Sequence, residues 1–230
     1  MKQWMIAAAV TIVAVVAGAH LSAQAGGWMV RADRSTSATD PDGAGEIKFM
    51  AMGGGFHAIN PAAAVYWNPA NTASGNYTVK GSFKLLKPSG HTNYYGLVFG
   101  GSALEGAEQH YLYFLVAQDG TFLVKQRAGD RMPDPNAPAG RGGRGRGPQP
   151  ITQDVVAKTP HASVQQPGAD GTSVNALEVR VKADAVDFVV NGTVVHTMPK
   201  AGLPGPTDGI AGIRVNHQLN VEITGFAVAR

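Results

Sequence analysis

Cysteine is absent from this 230-residue chain. That excludes disulfides, thiolate zinc centres, cysteine nucleophiles and cysteine-linked lipid anchors, so any fold must be held by packing alone. Charge is also sparse, at 15% of residues, and the formal excess of +3 is small. Arg141, Arg144 and Arg146 lie in one short tract and account for that excess. The rest of the chain is near neutral, and no nucleic-acid partner is expected. Only five glutamates occur (Glu46, Glu105, Glu108, Glu178 and Glu222), and no histidine pair shows HExxH or H-x-H spacing. Beyond the N-terminus no stretch has helical periodicity, which excludes helical bundles and α/β folds.

What is present begins with an address. A single Lys2 precedes the apolar run "WMIAAAVTIVAVVAGA", followed by "HLSAQA" with its small-x-small triplet Ala23-Gln24-Ala25. This reads as a secretory signal peptide over residues 1–25, helical and cut after Ala25. A retained anchor is the alternative, but the run falls short of the roughly 20 apolar residues that span a bilayer. No stable membrane span is expected after cleavage. The protein is therefore expected to be exported, to the periplasm or outside the cell, with residues 26–45 as an N-terminal segment of the mature chain.

From Glu46 onward, short β-type runs alternate with Gly, Pro, Asn and Asp, giving roughly ten to thirteen strands and an all-β sandwich. In "ALEVRVKA", Leu177, Val179 and Val181 point one way and Glu178, Arg180 and Lys182 the other, as a half-exposed strand requires. Asn191-Gly192 supplies the two positive-φ residues of a type I′ turn, and Asp119-Gly120 does the same in "HYLYFLVAQDGTFLVKQR". "YYGLVFGG" and "HYLYFLVA" are apolar on both faces, so both faces must be covered or used. Between about 130 and 150, "DRMPDPNAPAGRGGRGRGPQP" has almost nothing to bury and reads as a disordered insertion.

The order of these motifs resembles the concanavalin A-like lectin/glucanase superfamily, a jelly-roll group that includes laminin-G-like and 3-keto-disaccharide hydrolase-like domains. "YYGLVFGG", "YLYFLVAQDGTFLVKQRAG", "NALEVRVKADAVDFVVNGTVVHTM" and "DGIAGIRVNHQLNVEITGFAV" carry the resemblance. It implies a jelly-roll β-sandwich of two antiparallel sheets over residues 46–230, apart from the insertion. A retaining glucanase of this group would present its carboxylates as E-x-D-x-x-E, which the chain lacks. The keto-disaccharide hydrolase group has N-S-G and E-x-Q where this chain has "NYYG" and "YLYF". Laminin-G-like relatives bind calcium through Asp and carbonyl oxygens, and "TDPDGAGE" offers Asp40, Asp42 and Glu46 as a calcium set. No other cofactor is expected.

Aromatic rings give the leading site. Trp67, Tyr94, Tyr95, Tyr111 and Tyr113 fall in or beside the doubly apolar strands, where exposed rings could stack on sugars while Asn68, His91, Asn93 and His110 bind hydroxyls. Trp67, Asn68, His91, Asn93, Tyr94, Tyr95, Tyr111 and Tyr113 are therefore the expected ligand-binding residues. The alternative is that they fill core, and one alternating set must do so. The first expectation for function is a noncatalytic module binding carbohydrate or a cell-surface glycan. The alternatives are a glycoside hydrolase using Glu105 or Glu108 with His110, and a structural envelope protein with no small ligand.

Overall fold

The computed structural model describes residues 25–35, 37–131 and 149–230. The expected signal peptide up to residue 24 and residues 132–148 of the expected insertion lie outside the described residues. Among the described residues, fourteen strands form two seven-stranded antiparallel sheets. The front sheet runs, in spatial order, β1 (Met29–Asp33), β4 (Ala63–Ala73), β13 (Gly209–Val215), β6 (Tyr94–Ser102), β7 (His110–Ala117), β8 (Thr121–Arg131) and β9 (Gln149–Pro160). The back sheet runs β12 (Thr193–Pro199), β11 (Ala185–Val190), β10 (Ser173–Val181), β5 (Tyr77–Lys87), β14 (Leu219–Ala229), β3 (Gly55–Asn60) and β2 (Lys48–Met52). One 3-10 turn, Lys200–Gly202, follows β12. The expected jelly-roll sandwich is what forms.

Alternation places the core. Leu177, Val179 and Val181 of β10 face inward with Tyr77, Val79 and Phe83 of β5 and Phe188 of β11. From the front sheet come Tyr66, Tyr95, Leu97, Phe99, Leu112, Phe114, Val116 and Phe122, every one of them buried. Each such side chain contributes about 1.5–3 kcal/mol of hydrophobic stabilisation. Two polar pairs within this core are bonded. Tyr66 donates to Asn60 Oδ1 at 2.6 Å, and Asn175 Nδ2 donates to the Tyr95 hydroxyl at 3.2 Å.

Of the two expected turns, one is realised: Asn191 (φ 50°) and Gly192 (φ 82°) both adopt the left-handed conformation between β11 and β12. Between β7 and β8 only Gly120 (φ 79°) does so, because the loop 118–120 has three residues and needs a single left-handed position rather than the pair of a type I′ turn. Two boundaries differ from expectation. The segment 26–45 is not separate from the sandwich, because β1 pairs with β4 from Met29↔Trp67 to Asp33↔Ala63. Trp28, just before it, packs in the core against Phe56, Phe49 and Phe226, with ring centroids 4.7, 5.5 and 5.2 Å away. Ala25 is buried there too, and its carbonyl accepts the Trp28 N–H at 2.8 Å. The insertion is also narrower than 130–150, since Asp130↔Pro150 and Arg131↔Gln149 are strand pairs of β8 and β9.

The register of β6 against β7 shifts between Phe99 and Ser102, where Gly100 and Gly101 form a bulge. Gly100 has φ +62°, and a Cβ there would collide with the Pro206 carbonyl oxygen. Gly100→Ala is expected to destabilise the fold by about 1–3 kcal/mol, read from urea unfolding midpoints. An unchanged midpoint would show that the bulge can relax.

Candidate ligand site on the outer face of the front sheet

The second side-chain set of the doubly apolar strands points away from the inter-sheet core. Val98, Tyr111, Tyr113 and Leu115 form an outer cluster with Val65, Trp67, Leu104 and Leu123, bordered by Met29, Tyr94 and Ile210. The same parity carries charged residues outward: Arg31 and Asp33 on β1, Arg127 on β8 and Arg214 on β13. A β-strand sends alternate residues to one face, so three non-neighbouring strands converge here.

Asp33 is the hub. Its Oδ2 accepts hydrogen bonds from Arg214 Nη1 and, at 3.3 Å, from the Tyr111 hydroxyl. Its Oδ1 accepts from Arg31 Nη1 at 3.2 Å, with Arg127 Nη2 3.8 Å away. Arg31 Nη2 and Arg127 Nη2 also donate to Asp130. Arg214 Nη1 donates to the Tyr111 hydroxyl at 2.7 Å, and its guanidinium lies 5.3 Å from the Tyr113 ring centroid. Side-chain exposure is only 7% for Asp33, 6% for Asp130 and 7% for Arg127, so these charges are largely withdrawn from water. Burial by itself would raise the Asp33 carboxyl, yet Arg214, Arg127 and Arg31 outweigh it and hold the group below the usual carboxylate range. Burial also pushes the Tyr111 and Tyr113 phenols up, so both remain protonated donors.

Beside this network opens a cleft of about 580 Å³, within the range of small-molecule sites. Arg31, Arg34, Arg127 and Arg214 line it against Asp33 and Asp130, four guanidiniums to two carboxylates. Two buried atoms of its lining residues, Arg127 Nε and Asn216 Oδ1, have no hydrogen-bond partner among the described residues. The cleft is cationic.

The residues expected from sequence divide. Trp67, Tyr94, Tyr111 and Tyr113 do share the outer face, but Trp67 and Tyr111 are at most 1% exposed and Tyr113 is 6% exposed. Tyr94 is half-buried, its hydroxyl 3.5 Å from Thr121 Oγ1. Tyr95 leaves the set: as the next residue in the strand it must point the other way, into the inter-sheet core. Asn68 turns back on its own chain, accepting the Ala70 N–H at 3.0 Å. His91 and Asn93 lie together in the loop before β6, Asn93 Nδ2 being 3.0 Å from His91 Nε2.

The expected catalytic trio does not assemble. Glu105 and Glu108 are exposed on the β6–β7 loop, and neither lines this cleft. His110 Nε2 is bonded to Gln126 Nε2 at 2.6 Å, and burial lowers its pKa and keeps it neutral. The calcium set is split as well: Asp40 and Asp42 approach His217, whereas Glu46 is exposed and lines a different cleft with Lys48 and Lys87. Arg31, Asp33, Arg127, Asp130 and Arg214 were not singled out from the sequence. The available signal was charge at outward positions in otherwise apolar strands, such as Arg214 in "GIRV".

No family model matches the chain, and no curated protein matches it by sequence. Solved structures do match by shape. The carbohydrate-binding module CBM66 from Bacillus subtilis superposes with a TM-score of 0.53 at 10% identity, over 89% of this chain and 96% of that one. The fold is that of the concanavalin A-like and galectin-like β-sandwiches. A family 16 glycoside hydrolase, an endo-glucanase from Bacteroides ovatus, gives 0.52 at 10% identity over 85% and 92% of the two chains. The carbohydrate recognition domain of Emp46p gives 0.50 at 11% identity over 88% of each. Carbohydrate-binding and glycoside-cleaving proteins thus share this architecture, which fixes the scaffold and leaves activity to the site. Among the described residues no helix is long and apolar enough to cross a membrane.

The Asp33 hub has a measurable consequence. Asp33→Asn would leave three guanidiniums without their shared counter-ion, at a cost of about 3–5 kcal/mol in urea unfolding. Because the folded pKa lies below the unfolded value of about 3.9, the carboxylate's contribution is fully present above roughly pH 5 and is lost as pH falls through the folded value. The wild type should therefore lose stability on acidification more steeply than Asp33→Asn. Parallel pH profiles would contradict the assignment.

Proposed function

We propose that this protein is an exported, noncatalytic carbohydrate-binding module whose ligand is an acidic glycan, held in the cleft beside Asp33. The supporting observation is the charge of that cleft, four guanidiniums against two carboxylates, on a sandwich whose structural neighbours include carbohydrate-binding domains. Arginine presents a planar fork that pairs with carboxylate or sulfate in two parallel hydrogen bonds. Arg34 is exposed at the cleft, so a donor remains for a ligand after Asp33 and Asp130 are satisfied. Tyr94, at the border of the outer cluster, supplies an apolar ring for a sugar face.

Hydrolysis is disfavoured by the same electrostatics. A glycosidase needs one carboxyl kept protonated as general acid and a second as nucleophile or base. The carboxylates in this cleft are both bonded to arginines, and Asp33 is held ionised. Neither is suited to deliver a proton.

The test is a glycan array spanning neutral, uronic-acid and sulfated oligosaccharides, with Arg34→Ala and Tyr94→Ala beside the wild type. Binding should favour the acidic glycans, and Arg34→Ala should weaken it about tenfold, the loss of one hydrogen bond to a charged group. Absence of binding to every glycan would overturn the proposal. Release of reducing sugar from any of them would replace it with the hydrolase reading.

A further inference from the structure

At the end of the sandwich that carries the cleft, three loops bring together groups that the carbohydrate reading does not use. Asp40 comes from the segment between β1 and β2, His91 from the connection between β5 and β6, and His217 from the tight β13–β14 turn, where Gln218 adopts φ 57°. His91 Nε2 and His217 Nε2 are 2.9 Å apart. Asp40 Oδ1 lies 3.0 Å from the first and 3.1 Å from the second.

We propose that Asp40, His91 and His217 bind one divalent transition-metal ion of the zinc class. The three donor atoms form a nearly equilateral triangle. An ion about 2.1 Å from each donor would sit roughly 1.2 Å off the plane of that triangle, and tetrahedral angles would ask the donors to spread to about 3.4 Å, a shift of a few tenths of an ångström. Hydrogen bonding accounts poorly for the same arrangement. Each contact needs one proton between two heavy atoms, yet His91 Nε2 faces Asp40 Oδ1, His217 Nε2 and Asn93 Nδ2, all within 3.0 Å. One ring nitrogen carries at most one proton and cannot serve all three.

A second observation points the same way. Asp42 Oδ1 is buried and has no hydrogen-bond partner among the described residues, although the other carboxylate oxygen accepts the Ser35 N–H at 3.1 Å. That free oxygen is 3.8 Å from His217 Nδ1. When Nε2 of an imidazole ligates a metal, its Nδ1 carries the proton and characteristically donates it to a carboxylate, which orients the ring. Asp42 stands at that place and needs less than about 1 Å of movement to accept the bond.

The ligand types select the metal. Two imidazoles and one carboxylate suit zinc, copper, nickel or cobalt, whereas calcium and magnesium take oxygen ligands. The histidine-free calcium set Asp40, Asp42 and Glu46 does not form, and among the described residues the group that converges is the mixed one. His217 is 10% exposed, but His91 and Asp40 are 42% and 49% exposed, so remaining coordination positions open to solvent. His217 also lines the cationic cleft, which places the ion at the cleft's edge. An ion here would tie three loops in a chain that has no disulfide to do so.

Metal alone is the probe, so the result is independent of any glycan. The purified protein, treated with EDTA and free of any histidine tag, would be titrated with Zn2+ by calorimetry and with Co2+ by visible absorption. One equivalent should bind, and Zn2+ at about 100 times the dissociation constant should raise Tm by roughly 5 °C or more. Ca2+ and Mg2+ should do neither. His91→Ala and Asp40→Asn change exposed loop positions, should leave the metal-free Tm unchanged and should each weaken Zn2+ binding by more than about 100-fold. His196→Ala, on the far edge strand β12, should bind normally. Absence of saturable Zn2+ binding would overturn the proposal. So would unchanged stoichiometry and affinity in the His91→Ala/Asp40→Asn double variant, because the ion would then sit elsewhere.

Discussion

Asp33 holds three guanidiniums in place on a sheet face that is otherwise apolar. Withdrawing charges from water is costly, and an ion network of this kind is seldom the most stable way to fill such a space. Its geometry depends on strands far apart in sequence: β1 supplies Arg31 and Asp33, β8 supplies Arg127, and β13 supplies Arg214. Without the carboxylate, the guanidiniums would repel one another and the face would lose its fixed donors. With it, Arg31, Arg127 and Arg214 are held rigidly while the cleft keeps a positive excess. That combination of rigidity and unmatched charge is suited to recognition of an anion.

The architecture explains why recognition elements gather at one end. In an antiparallel sandwich the loops from alternating strand connections meet at each end, so residues separated by more than a hundred positions become neighbours. His91 and His217 are 126 residues apart in sequence and in contact in space. The loops bearing Asp40, His91 and His217 stand beside the Asp33 network, and His217 belongs to the lining of the cleft. The strands supply a fixed array of arginines and the loops supply a cluster of convergent donors. The two share a border, although each rests on its own contacts.

Much of the sandwich was legible in the sequence because strand alternation and turn chemistry are local. "ALEVRVKA" declares its buried face in eight residues, and Asn191-Gly192 declares its turn in two. The first strand was not legible: "MVRAD" alternates Val30 and Ala32 against Arg31 and Asp33, but over too few residues to stand out as a strand. The site was legible only in part. That one face of "HYLYFLVA" must be core and the other differently used follows from its two apolar faces. That Tyr94 and Tyr95 must diverge follows from the two-residue period of a strand. The arginine hub and the Asp40–His91–His217 cluster depend instead on long-range strand order, which no local pattern encodes.

The central claim is that charge on the outer face of the front sheet selects the ligand. The most direct measurement compares a uronic-acid oligosaccharide with its carboxyl-reduced neutral counterpart, by calorimetry at low and high salt. The account predicts at least about tenfold tighter binding of the acidic form, with the gap narrowing as salt shortens the Debye length from about 10 Å at 0.1 M to about 3 Å at 1 M. Equal affinity for the two forms at low salt would contradict it.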